Sequence, residues 1–253
     1  MAAFWRPYAR ARGCARRDEQ GTLWFVSGVP HPLFNAVIAA QFAPDDADRS
    51  IAEVRDAVVA RGVPALWWLG PHSRPRELAS RLEQSGFGPA GRVPGMAVDL
   101  AQLDVPQREF PDVVIRRVHD AESRATWART VAAGTEFSDE AIGKLVALEA
   151  SIEDPGYSAQ TRYIGYVDGE PVAASALVFE GGVAGLYAVA TLPAFRGRGI
   201  GTLMTLRPLL DAREMGWRVG VLQASEMGEP IYRKLGFREV SGFTLHFHPG
   251  STD

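Results

Sequence analysis

The sequence predicts an α/β (α+β) chain made of two tandem halves, each alternating short apolar strands with helices. Three observations predict it. Val189–Gly201 reads as a strand, a glycine-rich turn and the start of a helix. Residues 22–100 echo residues 175–248 at an offset of about 150 to 154. Turn signals, among them Asp168-Gly169 and Gly181-Gly182, divide the later apolar runs into strand lengths. The 253 residues allow one large domain or two small ones, and 46% hydrophobic with 23% charged residues is ordinary globular composition. A net charge of −3 gives no electrostatic case for nucleic acid or an anionic membrane. No run approaches the roughly 18 apolar residues of a membrane span. The single cysteine, Cys14, excludes an internal disulfide and fits a reducing cytoplasm.

Taken in order, Met1–Arg17 has Arg6, Arg10, Arg12, Arg16 and Arg17 interrupting any signal-peptide core. On charge alone it would also suit a transit peptide; the reading preferred is an opening amphipathic helix carrying Phe4, Trp5, Tyr8 and Ala9. The strand Ala36–Ala39 matches Ala188–Thr191. A helix over Asp46–Arg61, a strand Ala65–Leu69 and a helix Arg76–Ser85 ending in Gly86-Phe87 follow. A closing strand over Gly95–Leu100 parallels Thr244–Phe247. The linker is Gln102–Pro111, which gives domains 1–105 and 112–253.

The second half opens with a strand over Val113–Val118. Helices follow over Glu122–Ala133 and Ser138–Ala150, Ser138 being an N-cap with Asp139 and Glu140 in the first turn. A loop with Pro155 and Gly156 leads to strands over Tyr163–Val167, Pro171–Phe179 and Val183–Ala190. The glycine turn, a helix over Thr202–Met215, the strand Val219–Leu222 and a short helix over Glu229–Phe237 complete the core order. Pro208 inside the first of these helices should kink it.

The glycine turn decides the chemistry. Gly197, Gly199 and Gly201 allow dihedrals and close approach that a Cβ forbids. A helix N-terminus behind them adds unpaired N–H groups and partial positive charge, which suits a diphosphate. The spacing is not the dinucleotide G-x-G-x-x-G, and no lysine supplies the G-K-[ST] of an NTPase loop. It is R-x-x-G-x-G, from Arg196, Gly199 and Gly201. Downstream stand Tyr232, Leu235, Gly236 and Phe237, a Y-x-x-L-G-F run. These two motifs in this order resemble the GNAT acetyltransferases over about residues 112 to 249.

The resemblance implies two GNAT-like halves, each a mixed, mostly antiparallel sheet flanked by helices. It implies acetyl-CoA as co-substrate, bound by Arg196, Gly197, Arg198, Gly199, Ile200, Gly201 and Thr202 around the diphosphate. It implies that Val189, Ala190 and Thr191 offer backbone groups to the pantetheine arm, with Ser225 as a further CoA contact. Tyr232 takes the general-acid position, near the sulfur that leaves as a thiolate. The first half has Ala43-Pro44-Asp45-Asp46-Ala47-Asp48-Arg49 where the loop should be. Its carboxylates suit a helix N-terminal turn and repel a diphosphate, so this half is a degenerate copy.

The glutamate that several relatives use as base falls at Gly220, which has no side chain. Glu136, His119, Glu180 and Glu226 are candidates, with Glu136 chosen as base or proton relay. The segment Gly134–Tyr157 carries Glu136, Asp139, Glu140, Glu149, Glu153 and Asp154 against Lys144, an acidic mouth for a cationic amine. His246 and His248 share one strand face but lack a third metal ligand, so they are expected on an exposed last strand and no metal is expected. The function expected is direct acetyl transfer to a primary amine, on a small molecule or a peptide. A non-catalytic acyl-CoA-binding module and use of another acyl-CoA are the alternatives. The tandem copy favours a monomer, with no nucleic-acid or membrane partner.

Overall fold

A computed structural model describes residues 1–107, 112–152 and 160–251. Pro111, the Pro155-Gly156 loop, Glu153 and Asp154 lie outside the described residues. The described residues form two compact units: one holds 1–94, 151–152 and 241–251, the other 95–107, 112–150 and 160–240.

The first unit contains α1 (Ala2–Ala9), β1 (Ala15–Glu19), β2 (Thr22–Val26), β3 (Asn35–Ala40), α2 (Ala47–Val59), β4 (Ala65–Leu69) and α3 (Leu78–Gln84). β1, β2 and β3 pair antiparallel, and β3 pairs parallel with β4 at Ala36–Leu66 and Val37–Trp67. Adjacent residues of β2 point to opposite faces. Trp24 joins the α2 and α3 core with Ile51, Val54, Leu78 and Leu82, while Phe25 meets Trp5 of α1 at 5.9 Å. Helices therefore cover both faces. Trp67 is fully buried in this core, where truncation to Ala costs about 3–5 kcal/mol.

The second unit contains β5 (Gly88–Asp99) from Gly95 onward, β6 (Val114–Arg117), α4 (Ala121–Gly134), α5 (Asp139–Ala150), β7 (Gln160–Val167) and β8 (Glu170–Glu180). β9 (Val183–Thr191), α6 (Ile200–Glu214), β10 (Val219–Gln223) and α7 (Glu229–Lys234) follow. β6 to β9 pair antiparallel in sequence order, and β9 pairs parallel with β10 at Ala184–Gly220 and Gly185–Val221. The β7–β8 turn has Asp168 and Gly169 at φ 51° and 84°, the left-handed pair that a tight hairpin needs. Arg162 of β7 lies over the Trp127 ring of α4 at 4.7 Å, and its neighbour Tyr163 bonds Asp211 of α6 at 2.8 Å. Helices again flank both faces of the sheet. Asp211 is buried and also accepts from Arg117 and Arg207, which fixes α6 to the strands beneath it. α6 runs on through Pro208.

The same strand order thus occurs twice, but the closing strands are exchanged. In the first unit β4 pairs antiparallel with the end of β11 (Arg238–His248), from Thr244–Leu69 to His248–Ala65. In the second unit β10 pairs antiparallel with Gly95–Asp99 of β5. This overturns the exposed last strand expected for the two histidines. His246 and His248 are 1% and 5% exposed, because β11 is interior to the first unit and carries them against Glu83 of α3 and the Phe87 ring.

Candidate active site

The site begins where two parallel strands part. β9 and β10 are in register at only two positions, and β9 continues six residues beyond Gly185 with β8 as its partner. A bulge in that stretch, with Ala188 at φ 51°, turns the strand end outward. Val189, Ala190 and Thr191 therefore line an open fork. Gly134 at the end of α4 packs onto it so closely that a Cβ there would lie 3.0 Å from Ala190 Cβ and 3.1 Å from Thr191 N.

The loop after the fork has Gly197 and Gly199 at φ 76° and 87°. Gly199 is the N-cap of α6 and no side chain caps the helix. A Cβ on Gly201 would meet only Ile231 Cδ1 and Thr191 Oγ1, each at 3.8 Å. The protein itself leaves room over the first turn of α6. Arg198 is turned onto the Phe195 ring at 5.1 Å and donates to the Ala194 carbonyl. Arg196 Nε donates to Thr191 O at 3.2 Å, and its Nη2 donates to Gly134 O at 2.9 Å and the Glu136 carboxylate at 3.1 Å. Arg196 thus ties the α4–α5 corner, where Glu136 adopts φ 60°, to the strand end.

Fork and loop open into one cavity of about 1260 Å³ in the second unit. Its other wall is the β10–α7 connection. The Ser225 hydroxyl accepts from Gly228 N at 3.2 Å, which shapes the turn into α7. A Cβ at Gly228 would lie 2.7 Å from the Tyr232 ring, so this glycine lets the tyrosine fold back. Tyr232 is 8% exposed. Burial pushes its phenol up to about 12, against a smaller opposing hydrogen bond with Thr205. It is therefore a proton-bearing donor throughout the neutral range.

The fork residues, Arg196, Gly197, Gly199 to Thr202, Ser225, Tyr232 and Glu136 all line this cavity. Of the other base candidates Glu226 lines it, and His119 and Glu180 do not. At Gly220 a Cβ would lie 2.9 Å from Leu100 and 3.2 Å from Leu209, so that position faces apolar core. The acidic mouth is smaller than the sequence suggests. Glu149 is buried beside Arg162 at 3.6 Å, Glu140 pairs with Lys144 at 2.9 Å, and Glu136 pairs with Arg196. Asp104, Gly134, Thr205 and Lys234 also line the cavity; only a three-dimensional arrangement brings these four together.

The cradle fits the diphosphate and pantetheine of CoA: an uncapped helix N-terminus, a glycine first turn with spare room, and a strand with a free edge. Among the described residues, no group of three or more His, Cys, Asp or Glu is arranged to hold a metal ion, and no helix is long and apolar enough to cross a membrane.

The corresponding junction of the first unit is filled by its own chain. Beyond the β3–β4 register, Arg74 N donates to Ala40 O at 2.8 Å and Phe42 N donates to Arg74 O at 3.2 Å. Asp45, Asp46 and Asp48 do stand in the N-terminal turns that lead into α2, as expected, but Asp46 makes no side-chain capping bond to α2 and pairs instead with Arg49 at 2.6 Å. Arg81 donates to Pro44 O at 2.9 Å, Asp48 at 3.2 Å and Glu77 at 3.0 Å.

Residues 159–239 match the family described as acetyltransferase (GNAT) domain. Among solved structures, a GCN5-related N-acetyltransferase from Kribbella flavida is similar at TM-score 0.67 and 22% identity, over 99% of this chain and 94% of that one. A functionally unknown conserved protein from Staphylococcus epidermidis ATCC 12228 is similar at TM-score 0.62 and 13% identity, over 94% of each chain. A tandem GNAT protein from the clavulanic acid biosynthesis pathway is similar at 0.57 and 15%, over 92% of this chain and 79% of that one. These likenesses speak to the fold. No curated protein matches the sequence.

Proposed function

We propose, for a chain that belongs to the GNAT superfamily of acetyltransferases, direct transfer of acetyl from acetyl-CoA to a primary amine of a small molecule or peptide. The observation that carries this reading is one cavity containing the open fork, the glycine cradle and a buried phenol. The amine attacks the thioester carbonyl, a C–N bond forms, the C–S bond breaks and CoA departs as thiolate, while the proton that the new amide nitrogen sheds passes to solvent water.

Tyr232 faces that departing sulfur in this reading. Its phenol sits at about 12. An ordinary thiol titrates near ~8.5, so complete proton transfer to the thiolate would be uphill by roughly 5 kcal/mol. Tyr232 therefore acts by donating a hydrogen bond as negative charge builds on sulfur, and the proton stays on the phenol. The acceptor arrives as an ammonium and must lose a proton before attack. Glu136 is the proposed acceptor or relay for it, at 63% side-chain exposure and held in place by Arg196. Ser225 and the loop N–H groups hold CoA, and the chain works as a cytoplasmic monomer.

The core at Gly220 favours a second reading, a non-catalytic acyl-CoA-binding module, because a relative's glutamate has no counterpart there. An amine panel assayed for free-thiol release from acetyl-CoA, alongside CoA calorimetry, separates the two. Release with at least one amine supports the enzyme. Binding without release across the panel supports the module, and no binding rejects both.

A further inference from the structure

The acids that line the cavity differ in place and in partner. Glu136 is held by Arg196 at 3.1 Å. Two others make no ion pair among the described residues. Asp104 stands at the Leu235 end of α7, where its backbone N–H donates to Leu235 O at 3.2 Å. Glu226 stands at the opposite end, lines the cavity and is exposed.

The backbone fixes where Glu226 can reach. Gly228 N donates to Ser225 O at 3.0 Å and to Ser225 Oγ at 3.2 Å, and Glu229 N donates to Ser225 O at 2.9 Å. These bonds close a tight turn whose two central residues are Glu226 and Met227, so both side chains stand at its tip. Met227 is 65% exposed and also lines the cavity. The turn abuts Tyr232, whose ring lies 2.7 Å from the Cβ point of Gly228. It therefore stands beside the phenol, which the reading above puts at the thioester.

A carboxylate and an exposed thioether side by side match an alkyl chain that ends in a cation. The reacting nitrogen loses its charge before attack, so at that stage it gives Glu226 no cation to hold. A second ammonium on the same acceptor keeps its charge.

We infer that Glu226 binds a second cationic group of the acceptor, so that alkyl diamines are preferred over monoamines of the same length. The inference rests on the acetyl-transfer reading above and deepens it. Met227 covers the alkyl spacer, Glu226 holds the far ammonium, and the near nitrogen meets the thioester.

The experiment measures thiol release from acetyl-CoA by the full chain at neutral pH. Butylamine, pentylamine and hexylamine are each matched with the α,ω-diamine of the same length, on the parent, on Glu226→Gln and on Glu226→Lys. A thermal melt and CoA calorimetry verify the fold and CoA binding of each variant. In the parent the best diamine should exceed its monoamine in kcat/KM by about 5-fold, beyond the statistical advantage of two equivalent ends. That margin should shrink with added salt. Glu226→Gln should erase the margin through a rise of about 5-fold in the diamine KM, and not through kcat. Glu226→Lys should invert it. A parent without the margin, or a margin retained in Glu226→Gln, overturns the assignment. A fall in kcat for monoamines and diamines alike would make Glu226 a proton acceptor and also overturn it. A parent that turns over neither class sinks the acetyl-transfer reading itself, a result distinct from equal turnover of both.

Discussion

Between β3 and β4 the first unit closes its own fork; between β9 and β10 the second leaves it open. Both forks begin the same way, with parallel strands in register at two positions and a bulge in the strand that leads to the helix. In the first unit the Arg74 peptide then bonds to Ala40 and Phe42, so the strand's free edge is satisfied by protein. At the helix start Arg81 pairs with Asp48 and Arg49 with Asp46. In the second unit the fork edge faces a cavity, and the helix starts with a glycine N-cap where the first unit has Asp46. The open fork keeps backbone groups that a ligand could pair, whereas groups already paired within the protein gain little from a ligand.

The comparison breaks most readily at Gly201. Gly201→Val should weaken CoA binding more than about 10²-fold while the melt shifts by only a few degrees, since the first methyl has room. The parent should titrate with one CoA per chain. Retained affinity in the variant, or two equivalents in the parent, would erase the distinction between the forks.

Tyr232→Phe keeps the ring beside Gly228 and removes the donor. The acylation rate should fall roughly 10²-fold with CoA affinity unchanged. Because the phenol stays protonated to about 12, the parent rate should show no loss assignable to this group below pH 10. A Tyr232-dependent rate fall near neutrality would contradict that.

Glu136→Gln should slow the reaction about 10-fold at pH 7 and approach the parent rate near pH 10, where the amine is already free. Parallel pH profiles would leave Glu136 with only its grip on Arg196.

Acid should distinguish the units. Burial lowers His31 to about 4 and also lowers His246 and His248, all in the first unit. Their folded values lie below the ordinary 6.5, so the unfolded chain takes up protons first. The His31 contribution is complete above about pH 6.5 and is lost as pH falls toward about 4, and those of His246 and His248 are likewise lost as pH falls below the ordinary value. Four of the six tryptophans lie in that unit, so intrinsic fluorescence should report its loss while CoA binding persists. Simultaneous loss of both signals would refute separate acid responses.

The smallest effect is expected at Arg81→Ala, about 1 kcal/mol of stability and no second CoA equivalent. The closed fork is held by the Arg74 backbone pairing, which this variant leaves in place.

Local chemistry made much of this legible in advance. Strands, helices and hairpins follow from apolar spacing and from turn pairs such as Asp168-Gly169, and the glycine loop is contiguous in sequence. The family resemblance supplied Tyr232 and Ser225, and the structure brings both to the cavity of that loop. What stayed hidden depends on distant partners. Nothing near Arg196 announces Glu136, 60 residues earlier, and nothing near Ala40 announces Arg74. His246 and His248 look like surface alternation until β11 is seen paired to β4. Glu149 looks solvated until Arg162 is seen beside it. The two closing strands have similar patterns, so their spacing does not say which sheet receives which.

That exchange has a consequence for the order in which the chain is made. On the ribosome, the strand that completes the second sheet emerges more than a hundred residues before the β10 edge that awaits it. The first sheet is left one strand short until residues 244–248 emerge. Severing the chain at its linker would give each fragment the other's missing strand, so an N-terminal fragment ending there should expose the β4 edge and aggregate, and adding back a peptide of residues 238–251 should rescue it.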